Sequence, residues 1–459
     1  MGENIVSSGN VLISPTGISA DDLALLQSQF AADPRNRAAL NAVTKTSARS
    51  VVMNRDAVVR VSHTFSHTVK AGPSTSQNGS GRCWLFAGLN TFRTAAAQAM
   101  NVDDFEFSQN FPMFWDKLEK ANYFLESILS TLDEETDSRL ISFLIQGPIQ
   151  DGGQWDMFVN VVRKYGVVPK SVMPETESSS STGLMCDRIT TRLREFACVL
   201  RDDYRAGATR EELAARKPQM LGEIYRMLAI HLGEPPSRFL WQWRDKDNEF
   251  HRDGVMTPLE FMERYVKVDL DTMVCLIHCP QQAKRYNALY TIEHLGNVVE
   301  GDIVRYLNVE IEVLKAAAVE QIKAGKAVWF GCDVGKMFDR ELGLMDLDLF
   351  DYDGLYSTTF GMDKAQRLDY GQSSMNHAMV LTGVDLDDDG RPVRWRVENS
   401  WGDKGGDKGF MIMTDAWFDQ YTYEVAVEKA FLSADLLAVL ETDPIGLPPW
   451  DPMGALARA

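Results

Sequence analysis

Helical periodicity opens the chain and alternates with breaks marked by proline, glycine and serine. The pattern DDLALLQSQFAADPRNRAALNAV, in the stretch from Asp21 to about Thr68, predicts an amphipathic helix, a break at Pro34 and a second helix. The Gly-, Ser- and Pro-rich stretch from Ala71 to Arg82 predicts a loop. The run CWLFAGLNTFRTAAAQAM then predicts a helix that begins at Cys83.

The middle of the chain is predicted to be largely helical. Helical patterns dominate from Phe107 to Gly166 and again from Thr191 to about Val268, with a solvated loop at residues 178–182. After Gly325 the pattern changes to short Val-, Met- and aromatic-rich runs bounded by Gly and Asp, which predict an antiparallel sheet. The final DPIGLPPWDPMGALARA is Pro-rich and predicts no regular structure.

These elements predict an α+β protein. At 459 residues the chain is about three times as long as a typical domain of ~150 residues, so several segments are expected. We predict five: an N-terminal helical arm (1–70), a helical subdomain (71–190), a helical insertion (191–320), an antiparallel β subdomain (321–442) and a C-terminal tail (443–459).

Composition and charge narrow the possible functions. Hydrophobic residues make up 45% and charged residues 24% of the chain, which is typical of a folded soluble enzyme. Asp and Glu number 65 against 47 Lys and Arg, giving a net charge of -18, and such a surface repels a phosphate backbone. Nucleic acid is therefore a disfavoured partner, although a local basic channel is compatible with an acidic surface.

Targeting signals are not indicated by the sequence. The opening MGENIVSSGN lacks a basic region followed by an apolar one, and no run of ~20 apolar residues occurs, so neither export nor membrane insertion is expected. Val6 stands where a myristoylation signal needs Ser or Thr. Six cysteines in so long a chain favour reduced thiols, and we expect a cytoplasmic protein.

Candidate chemistry begins at Cys83. A cysteine at a helix N-terminus beside an imidazolium has a lowered pKa and becomes a nucleophile, although a Cys before an apolar run is more often a core residue. Gln77 lies six positions earlier in the loop, where its amide would face the carbonyl oxygen under attack; on its own it is an ordinary polar loop residue.

Two further polar residues are predicted on the sheet. His377 opens the strand-like HAMVLTGV, and Asn399 follows the strand-like WRVE. An Asn amide oxygen can accept a hydrogen bond from an imidazole and hold its useful tautomer. The alternatives are a structural histidine, a simple turn at NSWG and a core position for Trp401.

Three motifs together resemble the papain-like cysteine peptidases. QNGSGRCWLFA is similar to their cysteine motif, MNHAMVLTGV to their histidine motif and VENSWG to their asparagine motif. The chain is identified as a member of the bleomycin hydrolase and aminopeptidase C family by segments that compact papain relatives lack. These are FEFSQNFPMFWDKLE, DGGQWDMFVNVVRKYGVVPKS, WQWRDKDNEF, AVWFGCDVGK and WDPMGALA, in a likeness that runs from about Ser19 to Ala457.

The resemblance implies a role for each motif residue. Cys83 is implied as the nucleophile, His377 as the general base and acid, and Asn399 as the residue that orients the histidine. Gln77, with the Cys83 backbone N–H, is implied to form the oxyanion hole. Trp401 is implied to shield the His–Asn pair.

The resemblance also implies an assembly and a substrate. It implies a papain-like core with a large helical insertion, built into a homohexamer whose active sites face the interior. The C-terminal tail is implied to lie in the cleft, where its carboxylate meets the α-amine of a peptide substrate. Gly152 and Gly153 match glycines that let a substrate backbone approach closely. Ala457, Arg458 and Ala459 form the implied tail end, and we expect the enzyme to trim one or both of the last two.

Metal and cofactor sites are not expected. The stretch DLDDDGRPVRWR resembles the first half of a calcium loop but has Arg396 where a bidentate Glu is required, so a hairpin turn is the better interpretation. Two histidine and cysteine groupings lack the further ligands of a metal site: His63 with His67, and Cys275 with His278 and Cys279.

Three competing functions remain open at this point. An endopeptidase would result from a displaced tail. A nucleic-acid-binding assembly with secondary peptidase activity is disfavoured by the acidic charge. An inert scaffold would be expected to lack a catalytic residue, yet Gln77, Cys83, His377 and Asn399 are all present.

Overall fold

The computed structural model describes residues 17–458, and helices occur along its whole length. They are α1 (Ala20–Ala32), α2 (Pro34–Val43), α3 (Ala48–Val52), α4 (Arg55–Val59), α5 (Cys83–Ala99), α6 (Asn110–Ser130), α7 (Arg139–Gln146), α8 (Trp155–Tyr165), α9 (Glu177–Ser180), α10 (Gly183–Arg205), α11 (Arg210–Ala214), α12 (Lys217–Leu232), α13 (Pro258–Tyr265), α14 (Ile311–Lys323), α15 (Tyr352–Tyr356), α16 (Lys364–Asp369), α17 (Asp415–Tyr421) and α18 (Ala434–Leu440). No helix within residues 17–458 is both long and apolar enough to cross a membrane.

The strands form one large sheet and one separate hairpin. They are β1 (His67–Thr68), β2 (Phe239–Arg244), β3 (Phe250–Met256), β4 (Met273–Ile277), β5 (Ala288–Ile292), β6 (Tyr306–Asn308), β7 (Val328–Cys332), β8 (Phe338–Asp339), β9 (Leu344–Met345), β10 (His377–Leu386), β11 (Pro392–Glu398), β12 (Phe410–Thr414), β13 (Thr422–Glu428) and β14 (Ile445–Leu447). The large sheet has the order β14-β5-β6-β4-β13-β7-β10-β11-β12-β9-β8, and β1 pairs with β10. Strands β2 and β3 form the hairpin.

Alternate residues of the central strands supply two different hydrophobic cores. In β7, Trp329 joins the core built with the buried faces of α5, α6, α8, α10 and α12, whereas Phe330 joins the core built with α14, α17 and α18. In β10, Ala378 and Met379 divide in the same way. This alternation is the two-residue period of a strand with both faces buried.

The structure divides into two compact units. The smaller contains residues 17–59 and Asp348–Gly361. There Ser19 caps α1 in a capping box, and Asp33 caps α2 with Pro34 at its first turn, so the predicted helix, break and second helix are confirmed. The larger unit contains Arg60–Leu347 and the rest of the chain from Met362, including every candidate site residue that the structure describes.

The prediction that residues 191–320 form a helical insertion is wrong at residues 239–256 and 273–308, where strands occur, although α13 and the start of α14 lie in the same range. Helices α10 to α12 are followed by the β2–β3 hairpin and by β4, β5 and β6 of the large sheet. Runs such as MVCLI and ALYTI are short and apolar, and periodicity alone does not separate a buried strand from a buried helix. The five proposed segment boundaries stay a prediction.

Two smaller expectations also need correction. The sheet is not wholly antiparallel, because β4–β6, β5–β14 and β9–β12 pair in parallel. The C-terminal segment is more regular than predicted, since β14 joins the sheet and Pro452–Arg458 forms 3-10 helical turns. A proline is compatible with the first turn of a helix because the N–H it lacks has no intrahelical partner there. Ala459 lies outside the described residues.

A buried ion pair joins α5 to β11. The Arg93 guanidinium donates from Nη2 to Glu398 Oε1 at 2.7 Å, and Asn90 Nδ2 donates to the same oxygen at 2.9 Å. Both partners of the ion pair are buried. Burial raises the pKa of Glu398 to about 7, while the charge and hydrogen bond of Arg93 act in the opposite direction. The helix that begins at Cys83 is thereby attached to the strand that leads into Asn399.

We expect Arg93→Met to destabilise the fold more at alkaline than at acidic pH. Without Arg93, the pKa of Glu398 rises further above its usual value of 4.5. A carboxyl with a raised folded-state pKa supports folding at low pH, and this support is lost as the pH rises through the folded-state pKa. The penalty should therefore grow by about 1.4 kcal/mol per pH unit from pH 7 to the raised pKa of the variant, which is up to ~2 kcal/mol between pH 5.5 and 8.5.

Urea unfolding at pH 5.5 and 8.5 measures this difference. Lys323→Met, which removes a partner of the exposed Lys323–Glu320 pair, is the matched control and should change stability little at either pH. An Arg93→Met penalty that is the same at both pH values would contradict the account.

Candidate active site

Cys83 is the first residue of α5, as predicted. Its side chain is 2% exposed, and its Sγ accepts a hydrogen bond from the Ala378 backbone N–H at 3.4 Å. Backbone N–H groups in the first turn of a helix lack intrahelical partners and carry partial positive charge, which favours an anion at that end. The helix thus presents its positive end to the sulfur and to any oxyanion formed beside it.

His377 and Asn399 form the predicted pair. His377 opens β10, and its Nε2–H donates to Asn399 Oδ1 at 2.9 Å. The same oxygen accepts from the Ser400 backbone N–H at 2.8 Å. Because a backbone N–H can only donate, the Asn399 atom between them is the amide oxygen, and His377 must carry its proton on Nε2. The Nδ1 lone pair is then available as a base.

Burial acts on the charges of both reacting groups. It raises the pKa of the Cys83 thiol to about 11, although the backbone N–H groups of Ala378 and Trp84 act in the opposite direction. It lowers the pKa of His377 to about 4, against the hydrogen bond to Asn399. Each charge alone is therefore disfavoured, while opposite charges formed together offset much of that cost. Burial therefore opposes ionisation of Cys83 or His377 alone more than it opposes transfer of the proton from one to the other.

Trp401 lies against the histidine. The ring centroids of His377 and Trp401 are 4.9 Å apart, and Phe338 and the guanidinium of Arg340 contact the indole in turn. An aromatic ring here limits the access of water to the His377–Asn399 hydrogen bond, which strengthens it. The predicted shielding position of Trp401 agrees with this geometry.

Gln77 is hydrogen-bonded to Ser400, the residue that follows Asn399. Its backbone N–H donates to Ser400 O at 2.8 Å, and Ser400 Oγ donates to Gln77 Oε1 at 2.6 Å. The Nε2 amide group therefore points away from Ser400, and it donates to the carbonyl oxygen of Ser80. An amide nitrogen carries two hydrogens, so the second hydrogen of Gln77 Nε2 remains available as a donor.

The glycine loop is held against α5. A Cβ on Gly153 would lie 2.5 Å from the Trp84 ring, so glycine is needed for this close packing. Trp84 Nε1 donates to Asp151 O at 2.7 Å, and Lys120 Nζ donates to Gly152 O at 2.6 Å. The loop with the two predicted glycines is thus fixed beside the helix that carries the nucleophile.

Asp151 is a site-building residue that sequence reasoning missed. Its carboxylate accepts from Gly81 N at 2.9 Å, from Thr182 Oγ1 at 2.5 Å and from Lys117 Nζ at 2.6 Å. Burial alone would raise the pKa of Asp151, but the charge of Lys117 and these hydrogen bonds hold it well below its usual range. The available signal was the charged pattern DKLEK on a helix that is otherwise mostly apolar, since buried lysines need buried carboxylates.

A second hydrogen-bond network that sequence reasoning missed holds the segment that precedes His377. Asn376 Nδ2 donates to Asp333 Oδ1 at 2.7 Å, and Ser373 Oγ donates to Asp333 Oδ2 at 2.7 Å. Val334 N donates to Asn376 Oδ1 at 3.1 Å. The residue before His377 is therefore held by a buried carboxylate, which limits movement of the ring.

The C-terminal tail lines cavities with residues from the histidine side and from the glycine-loop side of the site. Met453 and Met375, which is two residues before His377, line the same small cavity. Ala457 and Arg458 line a cavity of about 370 Å³ together with Lys120 and Gln150, next to the glycine loop. The guanidinium carbon of Arg458 lies 3.7 Å from the Phe143 ring centroid. Ala459, also predicted as a substrate-binding residue, is outside the described range.

The other candidate motifs take structural positions. The DLDDDG stretch is the predicted hairpin turn between β10 and β11, in which Arg391 N donates to Asp387 Oδ1 at 2.8 Å. His63 and His67 do not share a helix face, because α4 ends at Val59 and His67 lies in β1. Within residues 17–458, no three His, Cys, Asp or Glu side chains are grouped so as to hold a metal ion.

Comparison with known proteins gives a consistent result. A sequence profile of the peptidase C1-like family matches residues 17–454. The chain is 48% identical over 419 residues to aminopeptidase C from Listeria monocytogenes, covering 90% of this chain and 93% of that protein. It is 43% identical over 455 residues to bleomycin hydrolase from Homo sapiens, covering 97% and 100%. The fold is similar to the crystal structure of PepW from Lactobacillus rhamnosis HN001, with a TM-score of 0.95 and 46% identity over 96% of this chain and 100% of that one.

These similarities and the geometry of the site lead to the same assignment. The matches extend through the helices of the nucleophile side and the sheet of the histidine side. They confirm the predicted α+β fold with a papain-like core. The chain belongs to the peptidase C1-like family, as a papain-like cysteine peptidase of the bleomycin hydrolase and aminopeptidase C group.

Proposed function

We propose that this enzyme is a thiol-dependent aminopeptidase that removes residues from the free N-termini of peptides. The observation that supports this most is the position of the tail, which lies between residues next to His377 and residues next to the glycine loop. A cleft filled on one side leaves little room for substrate residues on that side. The relatives named aminopeptidase C are consistent with such an activity.

The first half of the proposed reaction forms an acyl-enzyme. His377 Nδ1 takes the thiol proton as Cys83 Sγ attacks the carbonyl carbon of the substrate. The oxyanion accepts hydrogen bonds from Gln77 Nε2 and from the Cys83 backbone N–H. His377 then gives its proton to the leaving amine, the C–N bond breaks, and the N-terminal residue remains bound to Cys83 as a thioester.

The second half releases the product. His377 Nδ1 removes a proton from a water molecule, whose oxygen attacks the thioester carbonyl. The C–S bond breaks and the sulfur regains its proton, so the enzyme returns to its starting state. Asn399 accepts from Nε2–H throughout and keeps Nδ1 directed at the reacting atoms.

A pair of fluorogenic substrates tests the proposal. We expect cleavage of an aminoacyl amide with a free α-amine, at least 100-fold slower cleavage of its N-acetylated form, and no cleavage of either by Cys83→Ala, because the thiolate is the nucleophile. Equal cleavage of both forms by the native enzyme would indicate an endopeptidase. Cleavage that persists in Cys83→Ala would reject the proposed chemistry.

Gln77→Ala should separate oxyanion stabilisation from thiol reactivity. Loss of one oxyanion donor is expected to lower kcat by about 100- to 1000-fold. Alkylation of Cys83 by iodoacetamide forms no oxyanion, so its rate should change little. A parallel loss of both rates would instead mean that Gln77 supports the general architecture of the loop.

The substrates of the enzyme and its cellular compartment are further proposals. We propose peptides as substrates in the cytoplasm, with the carboxamide of bleomycin as an additional one, because a 43% identical human relative is named bleomycin hydrolase. Release of ammonia from bleomycin, lost in Cys83→Ala, measures that activity.

We propose a homohexamer as the working assembly, on the basis of the family resemblance. Sedimentation velocity distinguishes a hexamer from the 51.5 kDa monomer. A nucleic-acid-binding role stays a secondary alternative, disfavoured by the net charge of -18. Retention of the full chain on immobilised single-stranded DNA at 0.15 M salt would favour that alternative.

A further inference from the structure

The C-terminal tail carries a charge at Asp451 that is largely buried. Asp451 Oδ1 accepts from Lys284 Nζ at 2.7 Å, with side chains that are 10% and 6% exposed. The same oxygen accepts from the Met453 backbone N–H at 3.0 Å, and Gly454 N donates to Asp451 O at 3.1 Å. Asp451 therefore both pairs with Lys284 and starts the 3-10 turn that carries the rest of the tail.

Lys284 is itself held firmly. Its ammonium also donates to Gln281 Oε1 at 2.6 Å. The loop that carries it is tied to the end of β6, where the buried Asn308 side chain donates to Cys279 O at 3.1 Å and to Lys284 O at 3.3 Å. Asn308 Oδ1 accepts from Cys279 N at 2.9 Å. The backbone of the loop that carries Lys284 is thus held by the sheet without a contribution from the tail.

The other contacts of the tail end are mostly apolar. Met453 packs beside Met375 and Tyr423, and a Cβ on Gly454 would lie 3.0 Å from Ile292. Burial of apolar side chains stabilises the bound tail, but it is non-directional. Such contacts therefore allow the tail to slide by a residue relative to the sheet. A buried ion pair has a defined partner and geometry, and it can specify one register at little gain in stability.

We propose that the Lys284–Asp451 ion pair fixes the tail in the cleft and thereby restricts the enzyme to substrates with a free N-terminus. This inference rests on the proposed aminopeptidase function. Removal of either partner leaves the other charge buried without compensation, and it regains solvation only if the tail moves away. Cleft space is then opened to substrates whose N-terminus is blocked or extended, while the Cys83 chemistry stays intact.

The ratio of kcat/KM for N-acetylated and free-amine forms of one substrate tests this inference. Asp451→Asn and Lys284→Met should each raise the ratio by roughly tenfold or more, as expected if a free-energy difference above about 1.4 kcal/mol is lost. The double variant Lys284→Met/Asp451→Leu should return toward the native ratio, because apolar side chains can replace a buried ion pair. Lys323→Met is the matched control for loss of a lysine and should leave the ratio unchanged.

A second readout does not depend on activity. Intact mass after brief treatment with a carboxypeptidase reports whether the tail is accessible, and both single variants should lose C-terminal residues faster than the native chain. Native-like ratios together with native-like digestion in both single variants would reject the ion-pair proposal.

Truncation after Thr442 separates this proposal from the proposed function. A truncated enzyme that cleaves blocked substrate, alongside single variants that do not, would overturn the ion-pair inference and leave the aminopeptidase function standing. A truncated enzyme that still excludes blocked substrate would show that the tail does not restrict the substrate. Both the ion-pair inference and the part of the proposed function that rests on the tail would then fail.

Discussion

The reaction depends on how closely helix α5 is attached to the sheet. The nucleophile is on the helix and the base is on β10, so neither element forms the site alone. The buried Arg93–Glu398 ion pair joins them from one side, and the Ala378 N–H that donates to Cys83 Sγ joins them at the reacting sulfur. Because Glu398 directly precedes Asn399, the contact that holds the helix also sets the residue that orients the histidine.

Burial controls the charges of the two reacting side chains. Neither the Cys83 thiolate nor the His377 imidazolium is favoured alone, since the pKa of the thiol is raised and that of the imidazole is lowered. A substrate carbonyl supplies the acceptor that makes their joint ionisation productive. The charged groups that build the surroundings are paired instead, as Lys117 with Asp151 and Lys284 with Asp451. The structural charges around the site are thus paired, whereas burial opposes a charge on Cys83 or His377 alone.

Features that depend on local sequence patterns could be predicted, whereas those that depend on long-range pairing could not. Cys83, His377 and Asn399 each begin or follow a regular element, so motif and element together predicted their positions in the fold. The strands at 273–308 lie in the range predicted as a helical insertion; short apolar runs fit both structures, and only long-range pairing decides between them. The Arg93–Glu398 and Lys284–Asp451 pairs join residues 305 and 167 positions apart, and such partners cannot be chosen from one sequence.

The most direct test of the account is which of the six cysteines reacts first with limiting iodoacetamide, identified by peptide mass mapping. Exposure alone favours Cys198, which lies at the surface, over the buried Cys83. The account predicts that Cys83 is alkylated first because His377 accepts its proton, and that His377→Ala abolishes this preference. Preferential labelling of Cys198 with an inert Cys83 in the native enzyme would contradict the assignment of Cys83 as the nucleophile.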